Sequence, residues 1–389
     1  MQSIRRQFPI LSRKVNGHPL VYLDTAATSQ KPDSVLRAMT SFYCTANANA
    51  HRGMHPLAEE ATKHYEHARG AVQNFLCARS APEIVFTKSC TEAINLVAKT
   101  FVTPNDHILL SIYEHHSNII PWMQTGATLH WHNLHDFEDM LSAYPITLVA
   151  ITGQSNVTGR QPAVKTIVDT AHRVGAKVLV DAAQLVAHHP IDIQELDCDF
   201  LTFSGHKLYG PTGIGVLYAK EEWLEHMPPF LGGGGMVHSM SDQSFQSLPL
   251  PEKFEAGTPP VAEAVGLAAA IDWLTQFSWE DIETHEQALI THAEKLLSTI
   301  PNLNILDQSP RSGCLSFTLS DIHPHDLTEL LGKEGYCLRA GHHCAQPLHR
   351  HFGVTASTRI SFGIYNTTEE TDLLPTVIES AKGKLLCIL

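Results

Sequence analysis

The sequence predicts an α/β architecture: a large domain with a mainly parallel seven-stranded sheet flanked by helices, then a smaller α+β domain. Three observations carry that expectation. Short β-rich apolar runs alternate with helical stretches from about Leu20 to Ala219. Those runs are nearly continuous in apolar residues, as strands covered on both faces must be. Beyond the glycine run Gly232–Gly235 the pattern changes.

The expected strands are, in order, EIVFT (83–87), HILLS (107–111), ATLHW (127–131), ITLVAIT (146–152), AKVLVD (176–181), FLTFS (200–204) and GIGVLYA (213–219). Helical patterns lie between them at Thr91–Val102, at Ala163–Val174 and after Asp181. In such a sheet, chemistry gathers at the carboxyl ends of the strands. Past the glycine run, helices are expected at Val261–Phe277 and Glu280–Ile300, strands at Cys314–Leu319 and Tyr336–Arg339, and a final helix after Asn366. The domain boundary is placed near 265, giving a large domain 16–265 and a small domain 266–389, with the N-terminal segment 1–15 packing on the small one.

A chain of 389 residues, 43% hydrophobic and 17% charged, suits two globular cores. Its formal net charge of −13, with no block of Lys and Arg, argues against a nucleic-acid or anionic-membrane partner. A local basic pocket for a phosphate remains compatible with that charge. The start MQSIRRQFPI has no apolar run after its arginines, so no secretory signal is read. Val261–Leu274 is broken by Glu263 and Asp272 and is too short to span a bilayer, so a cytoplasmic location is expected. The eight cysteines (44, 77, 90, 198, 314, 337, 344, 387) form no C-x-x-C pair and no zinc-ligand spacing, so reduced thiols and no metal site are expected.

The segment FSGHKLYGPTGIGVLY (203–218) is the most informative. Lys207 stands just past the carboxyl end of an apolar strand, among small residues that let a ligand approach the backbone. A partly desolvated amine there suits Schiff-base chemistry. In AKVLVDAAQ (176–184), Asp181 ends a buried strand; alone it reads as a helix cap, but it also suits pairing with a pyridinium nitrogen. Asp181 and Lys207 together, 26 residues apart at two strand ends, say more than either alone. Cys344 in RAGHHCAQP (339–347) reads as a buried thiol, a metal ligand with His342 and His343, or a loop nucleophile; adjacent residues rarely converge on one ion.

The strings DAAQ, FSGHKLYGPTGIG, EHHSNIIPW, FEAGTP and RAGHHCAQPL resemble those of the fold type I, class V aminotransferase superfamily. They are similar to its cysteine desulfurases and selenocysteine lyases, the group that includes SufS and CsdA, over nearly the whole chain from about Phe8. The resemblance implies pyridoxal 5′-phosphate as cofactor and assigns roles residue by residue. Lys207 carries the coenzyme and moves the substrate α-proton, Asp181 pairs with the ring nitrogen, and His115 stacks on the ring, with His116 structural. Gln184 and Asn156 contact the phenolic oxygen side. Thr91, Ser204 and His206 hold the phosphate, and Thr258 reaches the phosphate of the neighbouring subunit of a homodimer. Cys344 takes sulfur from L-cysteine as a persulfide, Arg359 grips the substrate carboxylate, and Arg339 belongs to the substrate pocket. His51 and Arg52 fall in a loop near the substrate entrance or make structural contacts.

The implied reaction yields L-alanine and passes the sulfur to an acceptor protein of the SufE or CsdE type, for iron–sulfur cluster assembly or another sulfur-transfer route. L-selenocysteine is an additional expected substrate. Relatives carry GTTE where this chain has SCTE, which puts Cys90 in the phosphate loop, and the stretch Leu129–Ile146 is short. Two rival readings are an aminotransferase or kynureninase-like enzyme on the same scaffold, and a non-catalytic sulfur or metal carrier.

Overall fold

A computed structural model describes residues 2–51, 53–320 and 322–386. All seven expected strands form one sheet: β1 (Ile84–Thr87), β2 (His107–Ser111), β3 (Thr128–His132), β4 (Leu148–Thr152), β5 (Lys177–Asp181), β6 (Phe200–Ser204) and β7 (Gly215–Ala219). Their spatial order is β1-β7-β6-β5-β4-β2-β3. Strands β2 to β6 pair in parallel, and β7 is antiparallel to both β6 and β1. β1 therefore runs with the parallel strands, and six carboxyl ends share one edge of the sheet.

Successive strand residues face opposite sides, so each apolar run feeds two cores. Phe86, Leu109, Val149, Val178 and Leu201 pack on one face; Val85, Ile108, Leu148, Leu179 and Phe200 pack on the other. Burying each such side chain contributes about 1.5–3 kcal/mol, which is why the runs are nearly continuous in apolar residues. The covering helices include α1 (Asp33–Thr45), α2 (Pro56–Phe75), α3 (Cys90–Phe101) and α4 (Val164–Arg173). In α2 the buried positions Ala58, Ala61, Tyr65, Ala68 and Val72 recur at helical spacing, and His55 caps the first turn through the Ala58 N–H. After Asp181 no long helix forms; the chain makes single turns at Leu185–Ala187 and Ile193–Leu196. Pro190 between them lacks the N–H a continuous helix needs.

Helix α5 (Val261–Leu274) is buried on most sides and packs on α1 and α2. Gly266 allows that approach: a Cβ there would lie 2.8 Å from Met39 Sδ and 2.9 Å from Pro211 Cγ. A boundary near 265 thus falls inside a large-domain helix, and the break is better placed between α5 and α6 (Trp279–Leu297).

The small domain's sheet contains β8 (Leu303–Ile305), β9 (Cys314–Leu319), β10 (Arg339–Gly341) and β11 (Ser357–Ser361), antiparallel in the order β8-β9-β11-β10. The expected strand Tyr336–Arg339 divides. Tyr336–Cys337 pairs in parallel with Val21–Tyr22, and Arg339 opens β10. Val21–Tyr22 therefore belongs with the small domain, which corrects a large domain starting at 16. The N-terminal segment touches both bodies: Phe8 packs against Tyr209, Trp273 and Tyr365, and Arg5 pairs with Glu370 at 2.7 Å.

Candidate active site

Five strand ends and the small domain enclose one cavity of ≈ 240 Å³. The large domain contributes Ser89, Cys90 and Thr91 beyond β1, His115 beyond β2, Thr152 and Asn156 from the end of β4, Asp181 and Gln184 from β5, and Ser204, His206 and Lys207 from β6. The small domain contributes Arg339, His343, Cys344 and Arg359. Of the residues to which the resemblance gives a catalytic, coenzyme or substrate role, all but Thr258 line this cavity.

Lys207 ends the turn Gly205–Lys207 that follows β6. Its amine makes no hydrogen bond to the described residues. Burial lowers its pKa, and the nearby Asp181 carboxylate opposes that shift. The result is an amine closer to its neutral, nucleophilic form. Asp181 is pushed the other way by burial, opposed by the Ala183 N–H and Lys207. Its Oδ1 accepts from Ala183 N at 2.9 Å and from the Cys90 thiol at 3.4 Å. Its Oδ2 has no hydrogen-bond partner among the described residues, so one carboxylate oxygen is left for a cationic donor in the cavity. Cys90 also meets Thr202 Oγ1 at 3.2 Å, and burial holds its thiol protonated.

The opposite end of this wall suits an anion. Ser89 caps α3 by accepting the Glu92 N–H, and the Cys90 N–H donates to Ser204 Oγ at 2.8 Å. Ser204 keeps its hydroxyl proton for another acceptor. Thr91 Oγ1 lies 2.8 Å from Ser117 Oγ, and His206 Nδ1 lies 3.2 Å from Thr28 Oγ1. Hydroxyls beside a helix N-terminus are a phosphate-binding arrangement. Gly215 is required here: a Cβ would come within 2.4 Å of the Ser89 carbonyl carbon, so only glycine lets β7 lie against the loop.

His115 accepts the Ser117 N–H at Nδ1 (3.1 Å), which leaves the proton of the neutral ring on Nε2. Burial and the nearby Lys207 cation push its pKa down to about 3. Behind it, Glu114 was not singled out by sequence, because the histidines of EHHSN carry the recognisable pattern. This fully buried carboxylate accepts from the Ser111 hydroxyl, Thr152 N (2.9 Å) and Asn118 Nδ2 (2.6 Å), and burial raises its pKa to about 8. Asn118 in turn accepts from Trp122 Nε1 at 3.1 Å, so the turn carrying His115 is anchored in the core.

The small-domain wall is a loop in unusual backbone. Gly341, His343 and Cys344 have φ of 122°, 50° and 55°; for the two non-glycine residues that left-handed region carries a steric cost. Specific hydrogen bonds hold the loop. Asn156 Nδ2 donates to the His343 carbonyl at 2.8 Å, and the His116 N–H donates to the Cys344 carbonyl at 2.7 Å. Gln346 N donates to His116 Nε2 at 3.3 Å. Asn156, expected on the coenzyme's oxygen side, thus directs its amide N–H to the cysteine loop. Gln184 similarly donates to the Ala26 carbonyl at 2.9 Å, leaving its oxygen for the cavity.

Arg359 is 2% exposed. It donates from Nη1 to the Asn156 carbonyl and from Nη2 to Asp24 Oδ1, both at 2.9 Å, while its Nε has no partner among the described residues. Arg339, half exposed, lies 3.8 Å from the other Asp24 oxygen. Asp24 therefore joins both arginines. Sequence reasoning missed it; the available signal was an aspartate closing the short apolar run VYL.

Thr258 lies in a second cavity, of ≈ 840 Å³, together with Tyr65, Gly234, Gly235 and Glu255. Glu255 fixes this loop by accepting from Tyr65 (2.9 Å), Arg69 (2.7 and 2.9 Å) and Phe86 N (2.7 Å). His51, expected near the substrate entrance, lines this second cavity instead and lies 3.4 Å from Glu66. Arg52 and Cys387 lie outside the described residues.

The family model described as aminotransferase class-V matches residues 21–374. A "probable cysteine desulfurase" of Streptomyces coelicolor is 46% identical, with 98% of this chain and 97% of that protein covered. A "cysteine desulfurase" of Salmonella agona is 44% identical, with 96% of each covered. Among solved structures, the cysteine desulfurase CsdA from Escherichia coli (S-sulfonic acid) superposes with a TM-score of 0.90 at 40% identity, over 98% of both chains. An apo cysteine desulfurase from Thermococcus onnurineus gives a TM-score of 0.92 at 35% identity, again over 98% of both. The expected fold type I architecture is present, and the chain belongs to the class V aminotransferase family.

Proposed function

We propose that this protein is a pyridoxal-phosphate-dependent cysteine desulfurase, converting L-cysteine to L-alanine and carrying the sulfur as a persulfide on Cys344. The observation that supports this best is the meeting in one cavity of Lys207, Asp181 and His115 with Cys344 and Arg359. Without the thiol and the arginine, the same large-domain wall would serve many reactions.

The residues fit the coenzyme. The unpartnered Asp181 Oδ2 suits a protonated ring nitrogen, and Ser204, His206, Thr91 and the start of α3 suit the phosphate. His115 and Gln184 would flank the ring. Bound pyridoxal phosphate supplies an electron-accepting ring for the charge left at the substrate α-carbon. Lys207 would remove and return the proton at that carbon, its lowered pKa favouring the free amine. Arg359 would orient the substrate through its carboxylate, with Arg339 at the mouth of the pocket.

Cys344 acts as nucleophile toward the substrate sulfur. Its Sγ forms an S–S bond as the substrate Cβ–S bond breaks, the electron pair stays with Cβ, and a proton completes the methyl group of alanine. An acceptor thiolate then takes the outer sulfur and releases Cys344 as thiolate. A partner protein of the SufE or CsdE type fits that step, and L-selenocysteine fits the same pocket chemistry. A homodimer accounts for Thr258 standing in its own cavity, where it would reach the phosphate of a second subunit. No described helix is long and apolar enough to cross a membrane; a cytoplasmic site of action is part of the proposal.

Replacing Cys344→Ser is the direct test. The variant should keep the coenzyme's visible absorption but form neither sulfide nor alanine from cysteine. Undiminished cysteine turnover would overturn the persulfide role. Loss of the visible band in Lys207→Ala separates this reading from a colourless sulfur carrier.

A further inference from the structure

Behind the Cys344 loop lies a chain of polar groups that the proposed reaction does not use. Ser357 Oγ lies 3.0 Å from His349 Nε2 and 3.1 Å from His343 Nε2, and all three residues are buried. His349 Nδ1 lies 3.1 Å from the Ala345 carbonyl oxygen.

Elementary valence fixes where the protons sit. A carbonyl only accepts, so His349 carries its proton on Nδ1, and the neutral ring leaves Nε2 as an acceptor. Ser357 must then donate its single proton to His349 Nε2. Its oxygen can therefore only accept from His343, which places that ring's proton on Nε2. His343 Nδ1 is left as a lone pair, and it is buried without a hydrogen-bond partner among the described residues. Burial pushes His343 well below the usual imidazole range, which agrees with a neutral ring. An orphaned buried acceptor on the first of two consecutive left-handed residues marks a place where geometry is kept at a cost.

The strand register gives this arrangement its direction. Ser357 and Arg359 are two apart on β11, so they face the same side of the strand. Asn156 closes the loop, accepting Arg359 at its carbonyl and donating to the His343 carbonyl.

We propose that the His349–Ser357–His343 relay is a positioning device: it locks the His343 tautomer and holds the strained loop so that Cys344 is presented to the same substrate that Arg359 grips. This inference rests on the desulfurase reading for its consequence, although not for its geometry. None of the three is a catalytic residue; each acts through the backbone that carries Cys344.

Two readouts test the relay on the coenzyme-loaded enzyme. Ser357→Ala should slow carboxamidomethylation of Cys344 by iodoacetamide and lower kcat for alanine formation, each by ~10-fold or more. KM for cysteine and the coenzyme spectrum should stay near native. Ser357→Thr, which keeps the hydroxyl, should restore both rates, whereas Ser357→Val, which fills the same space without a hydroxyl, should not. If Ser357→Ala folds poorly, His349→Gln is read the same way. Alkylation and kcat within about twofold of native in these variants would overturn the relay. A native enzyme that releases no alanine from cysteine would instead overturn the desulfurase reading and leave the alkylation result to judge the relay.

Discussion

The two walls of the cavity differ in how they hold their chemistry. On the coenzyme side, Asp181, Ser204 and Lys207 stand at or just past the ends of buried parallel strands, and Thr91 lies in the first turn of a capped helix. The regular sheet positions them. On the sulfur side, Cys344 sits in left-handed backbone between β10 and β11, held by hydrogen bonds from Asn156 and His116. The two halves should therefore fail differently: removing a coenzyme-side group would delete chemistry, whereas loosening the other wall would misplace a thiol that is still present.

The largest expected effect isolates the first wall. Lys207→Ala should lower kcat/KM for cysteine by ~1000-fold or more. The amine has no hydrogen-bond partner among the described residues, so the iodoacetamide reactivity of Cys344 should stay near native. A parallel collapse in alkylation would show that the walls are not independent. Asn156→Ala attacks the second wall and should cost ~30-fold in kcat while the coenzyme's absorption persists, because the His343 carbonyl loses its donor. A normal kcat would contradict the anchoring role.

Asp24→Asn should raise KM for cysteine ~10-fold with a smaller change in kcat, since Arg359 loses the carboxylate that fixes its Nη2. Steady-state kinetics with cysteine decide this, and a pure kcat effect would go against it. Cys90→Thr is expected to change kcat by less than about twofold, because a threonine hydroxyl can also donate to Asp181 in place of the thiol.

A pH effect on stability is the mildest. His115 and His206 titrate near 3 and 4 in the fold, against an ordinary 6.5, chiefly because both are buried. Below 6.5 the unfolded chain binds two protons that these buried rings refuse, which outweighs the one proton that Glu114, raised to about 8, holds in the fold, so stability falls as pH drops from about 6.5 toward 4. The thermal midpoint should decrease over that range; a midpoint that rises on acidification would contradict it.

The same contrast explains what the sequence made legible. The seven sheet strands were readable because two-sided burial demands continuous apolar runs, and Lys207 and Asp181 were readable as polar residues at their ends. β11 was not, since Ser-Thr-Arg-Ile-Ser is mostly polar and yet wholly buried; the Ser361 hydroxyl and the two Nη groups of Arg359 find partners distant in the chain, such as Ala26, Asn156 and Asp24. Asp24 shares that property, Glu114 does so through Thr152 N, and the relay joins residues 8 and 14 apart that only the folded loop brings together. Their meaning is tertiary, whereas Cys344 was found only through its motif.

The central claim is that the large-domain wall and the cysteine loop act on one substrate, with Cys344 receiving its sulfur. The most direct measurement is a single turnover with excess enzyme over L-cysteine and no acceptor thiol, followed by mass spectrometry of the Cys344 peptide and quantification of alanine. The account predicts one extra sulfur atom on Cys344 for each alanine formed. Alanine formed without added sulfur on that peptide would contradict it.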